Sequence, residues 1–152
     1  EVFPGDGPVL AFELEPGTTK LVHDLDTLEQ LARLIIDYPR VGINLDIGHF
    51  ETVGIDIEHI FENDLIRDQI AHCHISANAS SHFADLCPGQ HIACENTDRH
   101  MAWCRELVAR WRQGELPLFQ GIASVELEAC GSVELVLKAH NQIRAWSQRP
   151  TT

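Results

Sequence analysis

Short runs of apolar residues alternate along this chain with segments whose apolar residues recur every three or four positions. The runs predict four strands, over residues 9–12, 41–46, 69–75 and 121–127. The intervening segments predict four helices, one between Asp26 and Pro39 and the others over residues 55–66, 98–111 and from Ser132 onward. Strands that alternate with helices form parallel βαβ units, so we predict one α/β domain over residues 1–148 and a tail over 149–152.

Two of the predicted helices have a start signal and an apolar face. We predict that Asp26 caps the first, whose apolar positions are Leu28, Leu31, Leu34 and Ile35. We predict that Ser132 caps the last, whose inner face is formed by Val133, Val136, Leu137 and Ile143.

Four βα units are compatible with two architectures. They make half of an eight-stranded TIM barrel, and they also suffice for a small open, doubly wound sheet. In both, functional side chains lie at the carboxyl ends of the strands. A loop over residues 77–96 is longer than most connections in a compact domain, which is typical of a functional loop or a disordered segment.

Charge and composition narrow the range of partners. The 152 residues include 23 acidic and 11 basic side chains, for a formal net charge of -12. Such a surface repels phosphate backbones, so nucleic acid is an unfavourable partner. No apolar run approaches the roughly 20 residues of a membrane span. Because the first residue is Glu1 and no signal peptide is visible, we expect the chain to derive from something longer.

The five cysteines are an odd number without a regular framework, which favours a reducing, cytoplasmic setting over a disulfide scaffold. One alternative function uses some of them. A structural zinc site could be built from the long loop and the helix after it, with ligands drawn from Cys87, His91, Cys94, His100 and Cys104. This set lacks the paired C-x2-C spacing of recognisable zinc modules.

Acidic or histidine side chains stand at the carboxyl end of every predicted strand. The four ends read Glu13-Leu14-Glu15, Asp46-Ile47-Gly48-His49, His72-Cys73-His74 and Glu126-Leu127-Glu128. Several carboxylates at one rim would repel each other, and a divalent cation is the simplest compensation. Carboxylate oxygens with one imidazole suit Mn, Mg, Co or Zn. The sequence therefore predicts a shared metal site, although each residue taken alone could be a cap or a solvated side chain.

Alternation along a strand places residues i and i+2 on the same face. Glu13 and Glu15 therefore point the same way, as do His72 and His74, and as do Glu126 and Glu128. One member of each pair is expected at the metal and the other a layer away. The alternation does not decide which.

The order of these motifs resembles the xylose isomerase-like TIM barrels, a family that includes sugar isomerases and epimerases, inosose dehydratases and endonuclease IV. The segments that carry the resemblance are "GPVLAFELEPG", "VGINLDIGHF", "IAHCHISA" and "FQGIASVELEACG". They extend over nearly the whole chain and resemble the second half of the family's barrel. Nothing in the chain matches the first four strands of that barrel.

The resemblance implies an activity and a role for each motif residue. It implies a metal-dependent sugar isomerase or epimerase whose metal ligands are Glu13, Asp46, His74 and Glu126. It further implies that Glu13 and Glu126 flank the substrate carbon and move its proton, and that His49 contacts substrate or binds a second metal. Further contacts with a sugar or polyol are expected from Glu15, His72, His91 and Glu128.

Two other functions of the same fold remain open at this point. One is an endonuclease IV-like phosphodiesterase, which the acidic charge disfavours. The other is a metal-free relative that binds a metabolite or a partner without catalysis. A half-barrel has two open edges, and we expect Phe12, Ile43 and Val125 on or near its inner face. We therefore expect the chain alone to pair with a missing N-terminal half, to pair with a second copy, or to aggregate.

Overall fold

A computed structural model describes residues 8–17, 19–78, 91–92, 98–126 and 133–148. Within these ranges it contains six strands and six helices. The strands are β1 (Leu10–Glu13), β2 (Val41–Asp46), β3 (Ile70–Ile75), β4 (Ala77–Asn78), β5 (His91–Ile92) and β6 (Ala123–Val125). The helices are α1 (Leu25–Ile35), α2 (Ile47–Thr52), α3 (Ile57–Glu62), α4 (Asp64–Arg67), α5 (Asp98–Arg112) and α6 (Val133–Gln148).

Four of the strands form a parallel sheet in the order β1-β2-β3-β6. The four strands predicted from the apolar runs are all present, and the last is shorter than predicted. In a separate pair, β4 lies antiparallel to β5, with Ala77 opposite Ile92. This pair lies within the predicted long loop, and residues 79–90 and 93–97 are outside the described residues.

An irregular register between β2 and β3 aligns the polar residues of the two strands. Ile43 lies opposite Ile70, whereas the next residue, Asn44, lies opposite His72, so Ala71 is an extra residue on β3. Gly42 makes this possible, because an added Cβ there would lie 2.7 Å from the Cβ of Ala71. Beyond the irregularity, Asp46 lies opposite His74.

The two faces of the sheet differ in chemistry. On one face Ile43, Leu45 and Cys73 are fully buried in a core that they share with the helices. The other face bears small and polar side chains, including Glu13, Asn44, His72 and His74, and lines an open groove of about 790 Å³. The sheet therefore separates an apolar core from a polar groove.

The expected positions of Phe12, Ile43 and Val125 on the inner face were wrong. Phe12 pairs with Ile43, and Ile43 belongs to the core on the helix side. Val125 pairs with Ile75 and lines a cavity between the sheet, α5 and α6. Because side chains alternate, a one-residue error in phase exchanges the two faces of a strand.

The first helix starts two residues earlier than the sequence indicated. Asp24, not Asp26, is the N-cap of α1, and its Oδ1 accepts a hydrogen bond of 2.9 Å from the backbone N–H of Thr27. The Thr27 hydroxyl in turn accepts from the backbone N–H of Asp24, which completes a capping box. Asp26 lies in the first turn. The capping box with Thr27 explains why the N-cap is Asp24 and not Asp26.

The single helix predicted over residues 55–66 was wrong. The side chain of Asp46 caps α2 directly at the end of β2, and the positive φ of 73° at Gly54 follows the end of that helix. Asn63 then separates α3 from α4 with an extended backbone. Two short helices, α3 and α4, therefore replace the one predicted, and α2, which precedes them, was not predicted.

The predicted inner face of the last helix was wrong at three of its four positions. In α6, Val133 is 74% exposed and Leu137 is 56% exposed, and Val136 is exposed as well. Among the side chains of α6 that the structure describes, Ala139 and Ile143 are the buried ones, and α6 contacts α5. The proposed cap, Ser132, lies outside the described residues.

Among the described helices, none is both long enough and apolar enough to span a membrane.

Candidate metal centre

Adjacent parallel strands bring four predicted side chains to one point. Glu13 ends β1, Asp46 ends β2, His74 is the penultimate residue of β3, and Glu126 directly follows β6. One ligand atom from each lies within 4.8 Å of the others. The resemblance to the xylose isomerase-like barrels implied these four residues as a set, and the structure places them together. Their role as metal ligands stays a prediction.

His74 lies at the middle of this group. Its Nδ1 is 2.6 Å from Glu126 Oε2, 3.4 Å from Asp46 Oδ2 and 3.7 Å from Glu13 Oε1. Contacts with Asp46 and Glu13, opposed by burial, raise the pKa of His74 to about 10. One ring nitrogen carries either one proton or one lone pair, so it cannot satisfy three carboxylates. A cation placed among the four groups could.

Asp46 is the most deeply buried of the carboxylates, with no exposed surface. Its Oδ1 accepts a 3.0 Å hydrogen bond from the backbone N–H of His49. Its Oδ2 is also buried and makes no hydrogen bond of good geometry within the described part of the chain. A buried carboxylate oxygen without such a partner is costly, and this one faces His74, where a cation would compensate it.

Glu13 has a partner for each of its oxygens. Its Oε2 accepts a 3.0 Å hydrogen bond from Asn44 Nδ2, and its Oε1 lies 3.1 Å from His49 Nδ1. Burial alone would raise the pKa of Glu13, but the contacts with His49 and His74 outweigh it and lower this pKa well below its usual range. Glu13 is therefore a carboxylate at neutral pH, which is the form that binds metal.

His49 lies next to the four-residue group and forms a second one. Its Nδ1 lies 2.7 Å from the carbonyl oxygen of Leu14. Burial lowers its pKa, but Glu13 and Asp46 outweigh that effect and raise the pKa to about 9. Ligand atoms of His49, Glu13 and Glu15 also lie within 4.8 Å of one another. Glu13 thus belongs to both groups, whereas Glu15 belongs only to the second and also lies 3.8 Å from Lys20.

His72 lies one layer away from His74 on the same face. The two rings are perpendicular, with centroids 5.3 Å apart. His72 Nε2 is 2.9 Å from Ser124 Oγ on β6, and burial followed by the neighbouring His74 lowers the pKa of His72. Because it lines the groove, His72 is placed to contact a bound molecule. It does not belong to either candidate metal group.

The structure describes the remaining predicted site residues only in part. His91 belongs to β5, but its side chain is not among those described, and Glu128 lies outside the described residues. The alternative zinc site has the same limit, since Cys87 and Cys94 are outside and the side chain of His100 is not described. Cys104 is buried in the core, and burial raises the pKa of its thiol to about 12. That environment disfavours the thiolate that zinc requires.

Two polar residues of this face were missed by the sequence analysis. Asn44 contacts Glu13 and His74, and Ser124 contacts His72. The available signal was alternation: Asn44 is two residues before Asp46, and Ser124 is two residues before Glu126. Both were overlooked because they lie inside apolar runs.

Comparison with known proteins supports the fold. No family model and no curated protein matches this chain. A solved structure of the IolI protein with a bound zinc atom superposes with a TM-score of 0.56 and 20% sequence identity. The match covers 92% of this chain and 46% of that protein, so the chain spans about half of its length. That protein is a TIM barrel, and the predicted fold class, a (βα)4 segment corresponding to the second half of a TIM (βα)8 barrel, is confirmed.

Proposed function

We propose that this chain is a xylose isomerase-like TIM-barrel protein and that it acts as a divalent-metal-dependent sugar isomerase or epimerase. The observation that carries the proposal is the convergence of Glu13, Asp46, His74 and Glu126 from four adjacent strands within 4.8 Å. Three carboxylates and one imidazole at the carboxyl ends of parallel strands suit a divalent cation. The likeness to a zinc-bound TIM barrel supports the same reading.

The donor set fits such an ion. The buried Oδ2 of Asp46 has no well-placed hydrogen bond within the described ranges, and three carboxylate oxygens surround one ring nitrogen. A transition metal held by such groups would lie about 2.0–2.3 Å from each ligand atom. Zn, Mn, Mg and Co all remain candidates for the ion.

Glu13 and Glu126 are the groups that would move a proton. They come from the first and last strands of the sheet, on either side of Asp46 and His74. A bound divalent ion would polarise the carbonyl and hydroxyl oxygens of a sugar and so acidify the C–H of the hydroxyl-bearing carbon next to the carbonyl. One glutamate, as a carboxylate, could then remove that hydrogen as a proton, and either the carboxylic acid so formed or a protonated glutamate on the other side could return a proton. Asp46 and His74 would bind the ion without taking part in proton transfer.

The groove beside these residues suits a small polar substrate. Its lining includes Glu13, Asn44, His72 and Gln120, which can hydrogen-bond hydroxyl groups. The net charge of -12 disfavours a polyanion. A sugar or polyol is therefore the proposed substrate class.

The test combines metal analysis with hydrogen exchange. The purified protein is dialysed against trace Zn and Mn, its metal content is measured, and a panel of ketoses and inososes is incubated with it in deuterated water. The proposal expects about one tightly bound ion per chain and deuterium entering one substrate next to the carbonyl carbon. Absence of any bound metal would overturn it. Bound metal without exchange on any member of the panel would instead support the non-catalytic metabolite-binding relative.

A phosphodiesterase is the second candidate, because Glu13, Glu15 and His49 form a neighbouring group that could hold a second cation. Two metal ions that share a ligand are typical of enzymes that cleave phosphate esters. A metal content of two ions per chain with cleavage of an abasic DNA duplex would favour this candidate. One ion per chain with sugar exchange and no cleavage would exclude it.

A further inference from the structure

Asn44 occupies an unusual position for an amide side chain. It lies in the middle of β2, is only 5% exposed, and is flanked in sequence by the core residues Ile43 and Leu45. Its own side chain points to the opposite, polar face, where it lies between Glu13 of β1 and His74 of β3. It therefore contacts two candidate metal ligands that come from the strands on either side.

The orientation of the amide is set by Glu13. A carboxylate only accepts hydrogen bonds, so the nitrogen of Asn44, and not its oxygen, must face Glu13 Oε2, which it does at 3.0 Å. The same nitrogen lies 3.1 Å from His74 Nδ1. This hydrogen bond occupies one carboxylate oxygen of Glu13 and leaves Oε1 on the side of His74 and His49.

The arrangement has a cost for folding. With the nitrogen directed to Glu13, the oxygen Oδ1 of Asn44 is buried and has no hydrogen-bond partner within the described part of the chain. An apolar residue of similar size would avoid this cost. A buried polar group that is not fully satisfied is typical of a functional site, where another requirement outweighs stability.

We propose that Asn44 is a positioning residue of the candidate metal centre, which holds Glu13 Oε2 so that Oε1 faces the metal position. The inference rests on the proposed function and adds a residue to it. Without this hydrogen bond, the carboxylate could rotate and carry Oε1 away from His74 Nδ1, which is 3.7 Å from it, and closer to His49 Nδ1, which is 3.1 Å from it. Partners of metal ligands that fix ligand orientation typically contribute about 10- to 100-fold to metal affinity.

The test measures the zinc affinity of the full chain by competition with a chromogenic chelator. Asn44→Leu keeps the approximate size of the side chain and removes the donor, and we expect its affinity to fall about 10- to 100-fold. Gln69→Leu is the matched control. Gln69 is also a buried amide beside the sheet, but its Nε2 donates to the backbone oxygens of Ala32 and Leu65, away from the centre. We expect zinc affinity in this control to equal that of the wild type.

A double-mutant cycle distinguishes positioning from a general structural role. If Asn44 acts through Glu13, then Asn44→Leu has little further effect on zinc affinity in a Glu13→Ala background, whereas independent effects would add. Asn44→Ser, a smaller change, provides the same comparison if Asn44→Leu does not fold. Wild-type affinity in the Asn44 variants, or additive losses in the cycle, would overturn the positioning role and leave the metal centre intact. A wild-type chain that binds no zinc or manganese would overturn both.

Discussion

At the scale of single residues, His74 is the most informative position, because three carboxylates surround its Nδ1. We expect His74→Ala to lower the metal content of the purified protein strongly, since it removes the one nitrogen ligand of the set. His72→Ala is the matched control, because His72 lies on the same strand and face but belongs to neither candidate group. Metal analysis of both variants is the measurement. Full metal content in His74→Ala would move the ligand assignment to another residue.

Glu126 separates metal binding from proton transfer. Glu126→Gln keeps the shape of the side chain and one oxygen ligand but removes the basic carboxylate. We expect the variant to retain metal, and exchange of the substrate hydrogen with solvent to fall by about 100-fold or more, as for loss of a general base. The measurement is deuterium incorporation into the ketose or inosose that the wild type turns over. Unchanged exchange in the metal-loaded variant would assign Glu126 a binding role only.

Much of the candidate site could be predicted at this scale because strand ends are visible in the sequence. Glu13, Asp46 and His74 each follow a run of apolar residues, and parallel strands bring such positions to one rim. Alternation could not decide between Glu13 and Glu15, since they share a face, whereas the structure groups Glu13 with Asp46. Asn44 was missed because its role depends on contacts across three strands, and those contacts depend on a register that the sequence does not display.

At the scale of secondary structure elements, the cap of α1 can be tested by replacing each of two nearby aspartates in turn. Asp24→Ala removes the side chain that accepts from the Thr27 backbone, so we expect a melting temperature lower by a few degrees. Asp26→Ala is the control, because Asp26 lies in the first turn and does not cap the helix. Thermal unfolding followed by circular dichroism is the measurement. An equal effect of the two substitutions would contradict the capping box.

The same cap gives a dependence of stability on pH. Hydrogen bonds from the side chain and backbone of Thr27 lower the pKa of Asp24 below its usual value of 3.8. Its charged form therefore stabilises the folded state above the unfolded pKa, and this contribution is lost as the pH falls through the folded pKa. Asp24→Asn can still cap but does not titrate. We expect the melting temperatures of wild type and this variant to differ most near neutral pH and to converge in acid, and a constant difference would contradict the linkage.

The sequence predicted the elements well where an apolar period extended over a long segment. It predicted them poorly where a capping residue determines where a helix begins. The four strands and the existence of α1, α5 and α6 follow from apolar spacing. α2 was missed because a buried aspartate both ends β2 and caps the helix, so no loop separates the two. The predicted face of α6 failed because apolar spacing identifies a stripe without identifying what covers it, and Val133 and Leu137 are exposed.

At the scale of the whole molecule, the described sheet has open edges on both sides. β1 pairs only with β2, and β6 pairs only with β3, among the strands of the described residues. Exposed apolar side chains lie near both edges. They are Leu10 and Phe12 on β1, and Val133, Val136 and Leu137 on α6. Unpaired edges and uncovered apolar surface favour association.

We therefore propose that two copies of this chain associate and place β1 of one copy beside β6 of the other. Two four-stranded sheets joined in this way would give the eight parallel strands of a closed barrel. The exposed stripe of α6 would then contact the apolar residues on β1 of the partner copy. The polar face of each sheet would then line the inside of the barrel, and the residues at the carboxyl ends of the strands would lie at its rim, where TIM barrels hold their functional groups.

Sedimentation velocity over a range of protein concentrations is the measurement, and we expect the wild-type chain to sediment as a dimer that dissociates on dilution. Leu137→Lys places a charge in the exposed stripe of α6 and should shift the equilibrium towards monomer. Leu21→Lys is the control, because Leu21 is also highly exposed but lies in the segment between β1 and α1. The control should associate as the wild type does. A wild-type chain that remains monomeric at every concentration, with full exchange activity, would show that four βα units form a complete and functional sheet without a partner.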